Sequence, residues 1–196
     1  GNKDLSLDNL CRFIPAFYEY VKFQVVNLGI VRRDNEIFQY WDNYINAAKQ
    51  AGYKLLSWNV WNKDFAGSIG NQNYMFAIIH EFLFVFGTET KKLNRIIPNN
   101  LEENGKRNKY KKMVNNKVVS VARENDNLEV AGGYESHSHK QIGTVTTCLP
   151  QLARDKHTKH PAMFPVNLPI EYILSMTNKN EIVIDPFLGS GTTLIA

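Results

Sequence analysis

Apolar positions recur at helical spacing over residues 7 to 22 (LDNLCRFIPAFYEYVK), through Leu7, Leu10, Phe13 or Ile14, Phe17, and Tyr20 or Val21. That period predicts a helix, which Pro15 either kinks or opens as part of its first turn. FQVVNLGIV (23 to 31) is short, β-branched and apolar, which predicts a strand, and RRDNE after it is a turn. Over 36 to 50, Ile37, Tyr40 or Trp41, Tyr44 or Ile45, and Ala48 share a second helical face. Ala51-Gly52 ends that helix, with glycine supplying a left-handed cap. YKLLSWNVW (53 to 61) and EFLFVFG (81 to 87) predict strands of one sheet, with a loop over 62 to 73 between them. Trp58 and Trp61 are three apart on a strand, so they face opposite sides and one of them belongs to the core. LPIEYILSMT (168 to 177) predicts a short helix with Pro169 in its first turn. EIVIDPF (181 to 187) is a continuous apolar run suited to a buried, central parallel strand. It feeds GSGTTLIA (189 to 196), where a last helix begins. Helices alternating with apolar strands predict an α/β fold.

Composition narrows the class. The chain has 196 residues, 43% hydrophobic and 21% charged, with 11 Phe and 9 Tyr, enough to bury a core and to exclude wholesale disorder. No apolar run approaches the ~18 residues of a spanning helix, so no membrane partner is expected. The first residues, GNKDLSLDNL, lack the layout of a signal peptide. Two cysteines, Cys11 and Cys148, are too few for a disulfide scaffold or a zinc site, and both read as inert. A reduced, cytoplasmic protein is expected.

The net charge of +4 hides an uneven distribution. Residues 91 to 123 carry ten cations (Lys91, Lys92, Arg95, Lys106, Arg107, Lys109, Lys111, Lys112, Lys117 and Arg123) against Glu102 and Glu103. The rest of the chain is net acidic, with 13 cations and 17 carboxylates. The segment is also rich in asparagine, including Asn94, Asn99, Asn100, Asn115 and Asn116. Composition alone reads it as a solvated, partly disordered loop. The other reading is a phosphate-contacting segment with Asn available for base edges.

One stretch carries specific chemistry: Asp185-Pro186-Phe187-Leu188-Gly189-Ser190-Gly191-Thr192-Thr193, where a strand turns into a helix. Two glycines let backbone approach a ligand closely. No lysine follows the second glycine, so it is not a Walker loop, and no third glycine makes it a dinucleotide fingerprint. His80-Glu81 is not a zinc-protease motif, because position 84 is Phe; a structural pair is expected there. Ser136 to His139 lack further ligands at credible spacing, and no metal is expected. Lys63 is expected to reach a phosphate or water.

Upstream stands His160-Pro161-Ala162-Met163-Phe164-Pro165. Together with Asp-Pro-Phe-x-Gly-Ser-Gly-Thr-Thr it resembles the cofactor motifs of the permuted, beta-class DNA amino-methyltransferases of bacteria and phages. Gly52-Tyr53 through Trp58-Asn59-Val60-Trp61-Asn62-Lys63, and His80-Glu81 through Phe86-Gly87, resemble two further strands of that family. The resemblance implies a mainly parallel, Rossmann-like α/β sheet that uses S-adenosylmethionine to methylate adenine N6, the favoured acceptor, or cytosine N4 in double-stranded DNA. It divides the chain into a catalytic-side half (1 to 90), a basic target-recognition insert (91 to 140) and a cofactor-binding half (141 to 196).

It implies cofactor contacts from His160, Phe164, Asp185, Phe187, Gly189, Ser190, Gly191, Thr192 and Thr193. DNA contacts fall to Lys91, Lys92, Arg95, Lys106, Arg107, Lys109, Lys111 and Lys112. Residues 99 to 135 are expected to be poorly ordered without DNA. The family's catalytic Pro-Pro-aromatic tetrapeptide does not occur in these residues, so the catalytic residues are not assigned. The chain reads as a fragment that does not turn over alone. A homodimer and a cognate restriction enzyme are compatible with the family. The alternatives are an inactive DNA- or nucleotide-binding module, or an RNA or small-molecule methyltransferase on the same fold.

Overall fold

The structure is a computed structural model, and it describes residues 7–64, 76–98, 109–122, 139–150, 164–189 and 191–196. They divide into two compact units, residues 95–141 and the remainder of the chain.

The larger unit is built on a four-stranded sheet. Its strands are β1 (Phe23–Leu28), β4 (Lys54–Asn62), β5 (His80–Gly87) and β10 (Val145–Thr147), in the order β1-β5-β4-β10. A small hairpin, β2 (Arg32–Arg33) with β3 (Glu36–Ile37), turns on Asp34 and Asn35, both with positive φ. These are the residue types that tolerate such a turn. The expected strands at 53–61 and 80–86 are neighbours in the sheet. Pairing direction departs from the mainly parallel expectation. β4 with β10 is parallel, whereas β1 with β5 and β4 with β5 are antiparallel.

Period-2 alternation sorts β5 between two cores. Phe84 and Phe86 point into one cluster with Ile14, Tyr44, Ile45, Ala48 and Tyr53. Leu83 and Val85 join the other with Trp61, Leu168 and Tyr172. The first cluster is covered by α1 (Leu7–Ala16) and α2 (Trp41–Gln50), the second by α3 (Asn167–Met176). Helices therefore pack on both faces of the sheet, as an α/β unit requires. Trp61 is 4% exposed and Trp58 44%, so the pair divides as its spacing predicts. The indole of Trp61 donates to the Cys148 carbonyl at 2.8 Å.

The helix expected over 7–22 stops at Ala16. Pro15 sits in its last turn, and single turns at Phe17 and Tyr18 follow it. The helix expected from 36 starts at Trp41, because Glu36 and Ile37 pair in β3. Gly52, with φ of +104°, follows α2 as expected. At the end of α3, Asn94 donates its side-chain amide to the carbonyls of Leu174 (3.0 Å) and Thr177 (2.8 Å). It satisfies acceptors that a helix terminus leaves open, and so is committed to capping rather than offered to a base.

The central strand expected at 181–187 is absent. These residues pair with no described strand, residues 186 and 187 form a turn, and Ile182 is 87% exposed. An apolar run becomes a central strand only where strands flank it, and none of the described strands pairs with it. α4 (Thr192–Ile195) follows this segment.

In the second unit, β6 (Ile97–Pro98) pairs with β9 (His139–Lys140), and β7 (Lys109–Val114) pairs with β8 (Lys117–Ala122). The loop expected across the basic segment is thus corrected over 109–122, which form a hairpin. Its turn residues Asn115 and Asn116 both have positive φ, the geometry that closes two-residue hairpins. The rest of 99–135 lies outside the described residues.

Candidate cofactor site and nucleic-acid interface

The turn at 185–191 is shaped by its own residues. The Asp185 carboxylate accepts from the backbone N–H of Phe187 at 2.9 Å, an Asx turn that starts the loop. The Gly191 N–H donates to the Leu188 carbonyl at 2.8 Å and closes it. Gly189 and Gly191 have φ of +55° and +86°, which is why glycine stands at both positions. A Cβ built on Gly191 would meet nothing within 4 Å. Gly191 itself is the N-cap of α4, without a side-chain cap bond. Thr192 is buried and Thr193 half-buried. Phe187 is 56% exposed, and its ring lies 4.7 Å from that of Phe13, edge to face.

Ser190 and His160 lie outside the described residues. Phe164 is half-buried against the core between the sheet and α3, which fixes the approach to that helix.

The parallel pair β4 and β10 ends its strands at one edge of the sheet, at Asn62 and Thr147. Ligands of open α/β sheets bind outside such carboxyl ends. Lys63 sits there, and its ammonium is 2.6 Å from Glu81, with both side chains mostly buried. The expectation of a phosphate or water for Lys63 is replaced by this ion pair. His80 packs its ring against Phe82 rather than bonding Glu81. Tyr40, whose hydroxyl donates to the Gly29 carbonyl at 2.8 Å, has its pKa raised by burial and then by the charge of Glu81. Below the sheet, Asn59 donates to the Tyr172 hydroxyl at 3.0 Å, and Thr146 to the Glu171 carboxylate at 2.8 Å. These bonds fasten α3 to β4 and β10, and burial raises the pKa of Tyr172.

The basic residues separate. Lys91 is tied to Glu181 at 3.3 Å within the larger unit, Lys92 is exposed, and Arg95 begins the second unit, also exposed. Lys109, Lys111 and Lys112 stand on β7, and Lys106 and Arg107 lie outside the described residues. The tip of the hairpin is one feature the sequence reading missed: Met113 is 67% and Val118 62% exposed, directly opposite each other across the turn. Asn-Asn between two alternating runs was the available signal.

A family model described as DNA methylase matches residues 21–196. The orphan methyltransferase M.BamHII of Bacillus amyloliquefaciens is 30% identical over 151 residues, covering 74% of this chain and 54% of that protein. The chain thus spans about half the length of that relative. The type II methyltransferase M2.MboI of Moraxella bovis is 53% identical over 38 residues, 19% of this chain and 14% of its own. Among solved structures, M1.HpyAVI in complex with SAM superposes with a TM-score of 0.60 at 17% identity, over 95% of this chain and 69% of its own. TTHA0409 of Thermus thermophilus gives 0.57 at 17% identity, over 96% and 66%. Fold, motifs and sequence agree, and the chain belongs to the N6/N4 DNA methylase family.

Proposed function

We propose that this chain forms the S-adenosylmethionine-binding and DNA-contacting part of an enzyme that methylates an exocyclic amine in duplex DNA, with adenine N6 as acceptor ahead of cytosine N4. The observation that carries the reading is the turn at 185–191. It combines two left-handed glycines, open space at the Gly191 Cβ and an exposed aromatic ring in one loop.

The residues present fit the cofactor. Asp185 uses one carboxylate oxygen on the Phe187 N–H, which leaves the other to face the ammonium of the methionine end. Gly189 and Gly191 give backbone that can approach it without a side chain between. Phe187 offers an apolar surface, and Ser190 and Thr193 offer hydroxyls, whereas Thr192 is buried. His160 and Phe164 would flank the site from the segment before α3. Bound there, S-adenosylmethionine supplies a methyl group on a positively charged sulfur, which an amine can displace directly.

The chain's own work is to place that donor and to hold DNA. The amine is inaccessible inside the stack, so the target base has to leave it. A two-stranded ribbon carrying Lys109, Lys111, Lys112 and Lys117 matches what a major groove admits and what phosphates attract. Lys92, Arg95, Lys106 and Arg107 are further cations offered to DNA, whereas Lys91 is engaged by Glu181.

Two measurements test this. Calorimetric titration of S-adenosylmethionine into wild type and Gly189→Val should show binding to the first only. Replacing Lys109, Lys111 and Lys112 by Gln should reduce the log–log salt slope of DNA binding by about 0.9 per lost phosphate contact. Equal cofactor affinity in folded Gly189→Val, or an unchanged slope, would refute the corresponding half. Nucleoside mass spectrometry of methylated DNA separates N6-methyladenine from N4-methylcytosine.

A further inference from the structure

Resting on the cofactor reading above, we infer that Phe13 of α1 is a positioning residue for S-adenosylmethionine, acting through the ring of Phe187. Residues 181–188 pair with no described strand and, apart from half-buried Asp185, are exposed, so sheet formation does not hold the loop in place. The bonds from Asp185 to Phe187 and from Gly191 to Leu188 set the shape of the turn but do not attach it to anything else. Beyond it α4 packs on α3, and within the segment one ion pair and one ring pair of the described residues reach the sheet and its helices. One is the Lys91–Glu181 ion pair at its start, with Glu181 open to solvent. The other is the Phe13–Phe187 ring pair at its tip, with centroids 4.7 Å apart and planes at 63°.

Phe13 is well placed to act as a fixed point. Its neighbour Ile14 is fully buried in the core under α1 and α2, and Leu10 and Cys11 pack against the same cluster. The Ile14 carbonyl also accepts from the Gln24 side chain at 3.4 Å, which ties α1 to β1. Phe13 meets only part of Phe187 and leaves more than half of that residue open, the surface an apolar portion of the cofactor would cover. Residues 13 and 187 are remote in sequence, and no cofactor motif includes position 13.

The test is calorimetric affinity for S-adenosylmethionine in the full protein. The set is wild type, Phe13→Ala, Phe13→Leu, Phe13→Tyr, Phe187→Ala and the Phe13→Ala/Phe187→Ala double variant, each checked for fold by circular dichroism. An aromatic pair is worth about 0.5–1.5 kcal/mol beyond its buried area. Phe13→Ala should therefore weaken binding about 2- to 12-fold at 1.4 kcal/mol per tenfold. Phe13→Leu keeps the packing of α1 but loses the ring, and should weaken binding too, which covers the case where Phe13→Ala folds poorly. Phe13→Tyr should restore wild-type affinity, and Phe13→Ala should add nothing in the Phe187→Ala background. Wild-type affinity in Phe13→Leu, or additive losses in the double variant, would overturn the inference while leaving the cofactor site intact. No binding by wild type would remove the cofactor reading itself and this inference with it.

Discussion

Gly191→Val separates backbone strain from loss of cofactor space. Gly191 has φ of +86°, and a Cβ there would meet nothing within 4 Å. The variant therefore meets no clash in the ligand-free protein. Its folding cost is the left-handed backbone alone, about 1–2 kcal/mol, towards the upper end for a β-branched residue. Gly191→Asn adds a comparable side chain at smaller cost, because Asn tolerates this backbone. If the open space is where the cofactor lies, both side chains fill it and both variants lose affinity together, although their stabilities differ. The assay is urea unfolding without ligand beside calorimetric titration with S-adenosylmethionine. The expected result is a stability loss below about 2 kcal/mol with affinity lowered at least about tenfold, 1.4 kcal/mol, in both. A stability loss above about 4 kcal/mol in Gly191→Val would mean that the Cβ does meet structure. Wild-type affinity in both variants would mean that the open space is not the cofactor's.

Tyr172→Phe should cost about 1–3 kcal/mol in urea unfolding, because it leaves the buried Asn59 amide without its acceptor; a change under about 0.5 kcal/mol would show that the bond is replaceable. Cys148 has its thiol pKa raised above the ordinary 9.0 by burial and then by Glu171, so its alkylation by iodoacetamide, followed by peptide mass mapping, should reach half-maximal rate above pH 9.0. Half-maximal reaction at or below that pH would contradict the placement. Glu181 has its pKa lowered from 4.5 by the Asn178 backbone N–H first, then the Asn178 side chain and Lys91. A depressed carboxylate stabilises the fold above its unfolded pKa and loses that contribution as pH falls through its folded value. The stability gap between wild type and Glu181→Gln should thus narrow on acidification below about pH 4.5; a gap constant from pH 7 to 3 would refute the assignment.

How much was legible follows from how local each determinant is. β4, β5, α2 and α3 announce themselves because their burial pattern is written in consecutive residues, and the parity of Trp58 and Trp61 follows from the pleat alone. The turn at 185–191 was equally legible as a turn, since its left-handed backbone needs glycines within a few positions of one another. What failed was information about partners. The run at 181–187 states that its side chains are apolar, but a central strand also needs flanking strands, which are not a property of the run. The acceptor for Lys63 lies on the neighbouring strand, where register places Glu81 opposite Trp61, and no spacing rule reaches that pairing. Asn94 looked available for a base until the end of α3 supplied two carbonyls for it. The hairpin at 109–122 failed for a different reason. Its lysines dominate the composition, while its turn is specified by Asn115 and Asn116, whose tolerance of positive φ outweighs the charge in deciding local structure. Charge reports what a segment attracts, and turn chemistry reports what shape it presents. Here the two together describe a cationic ribbon with an apolar tip, which neither describes alone.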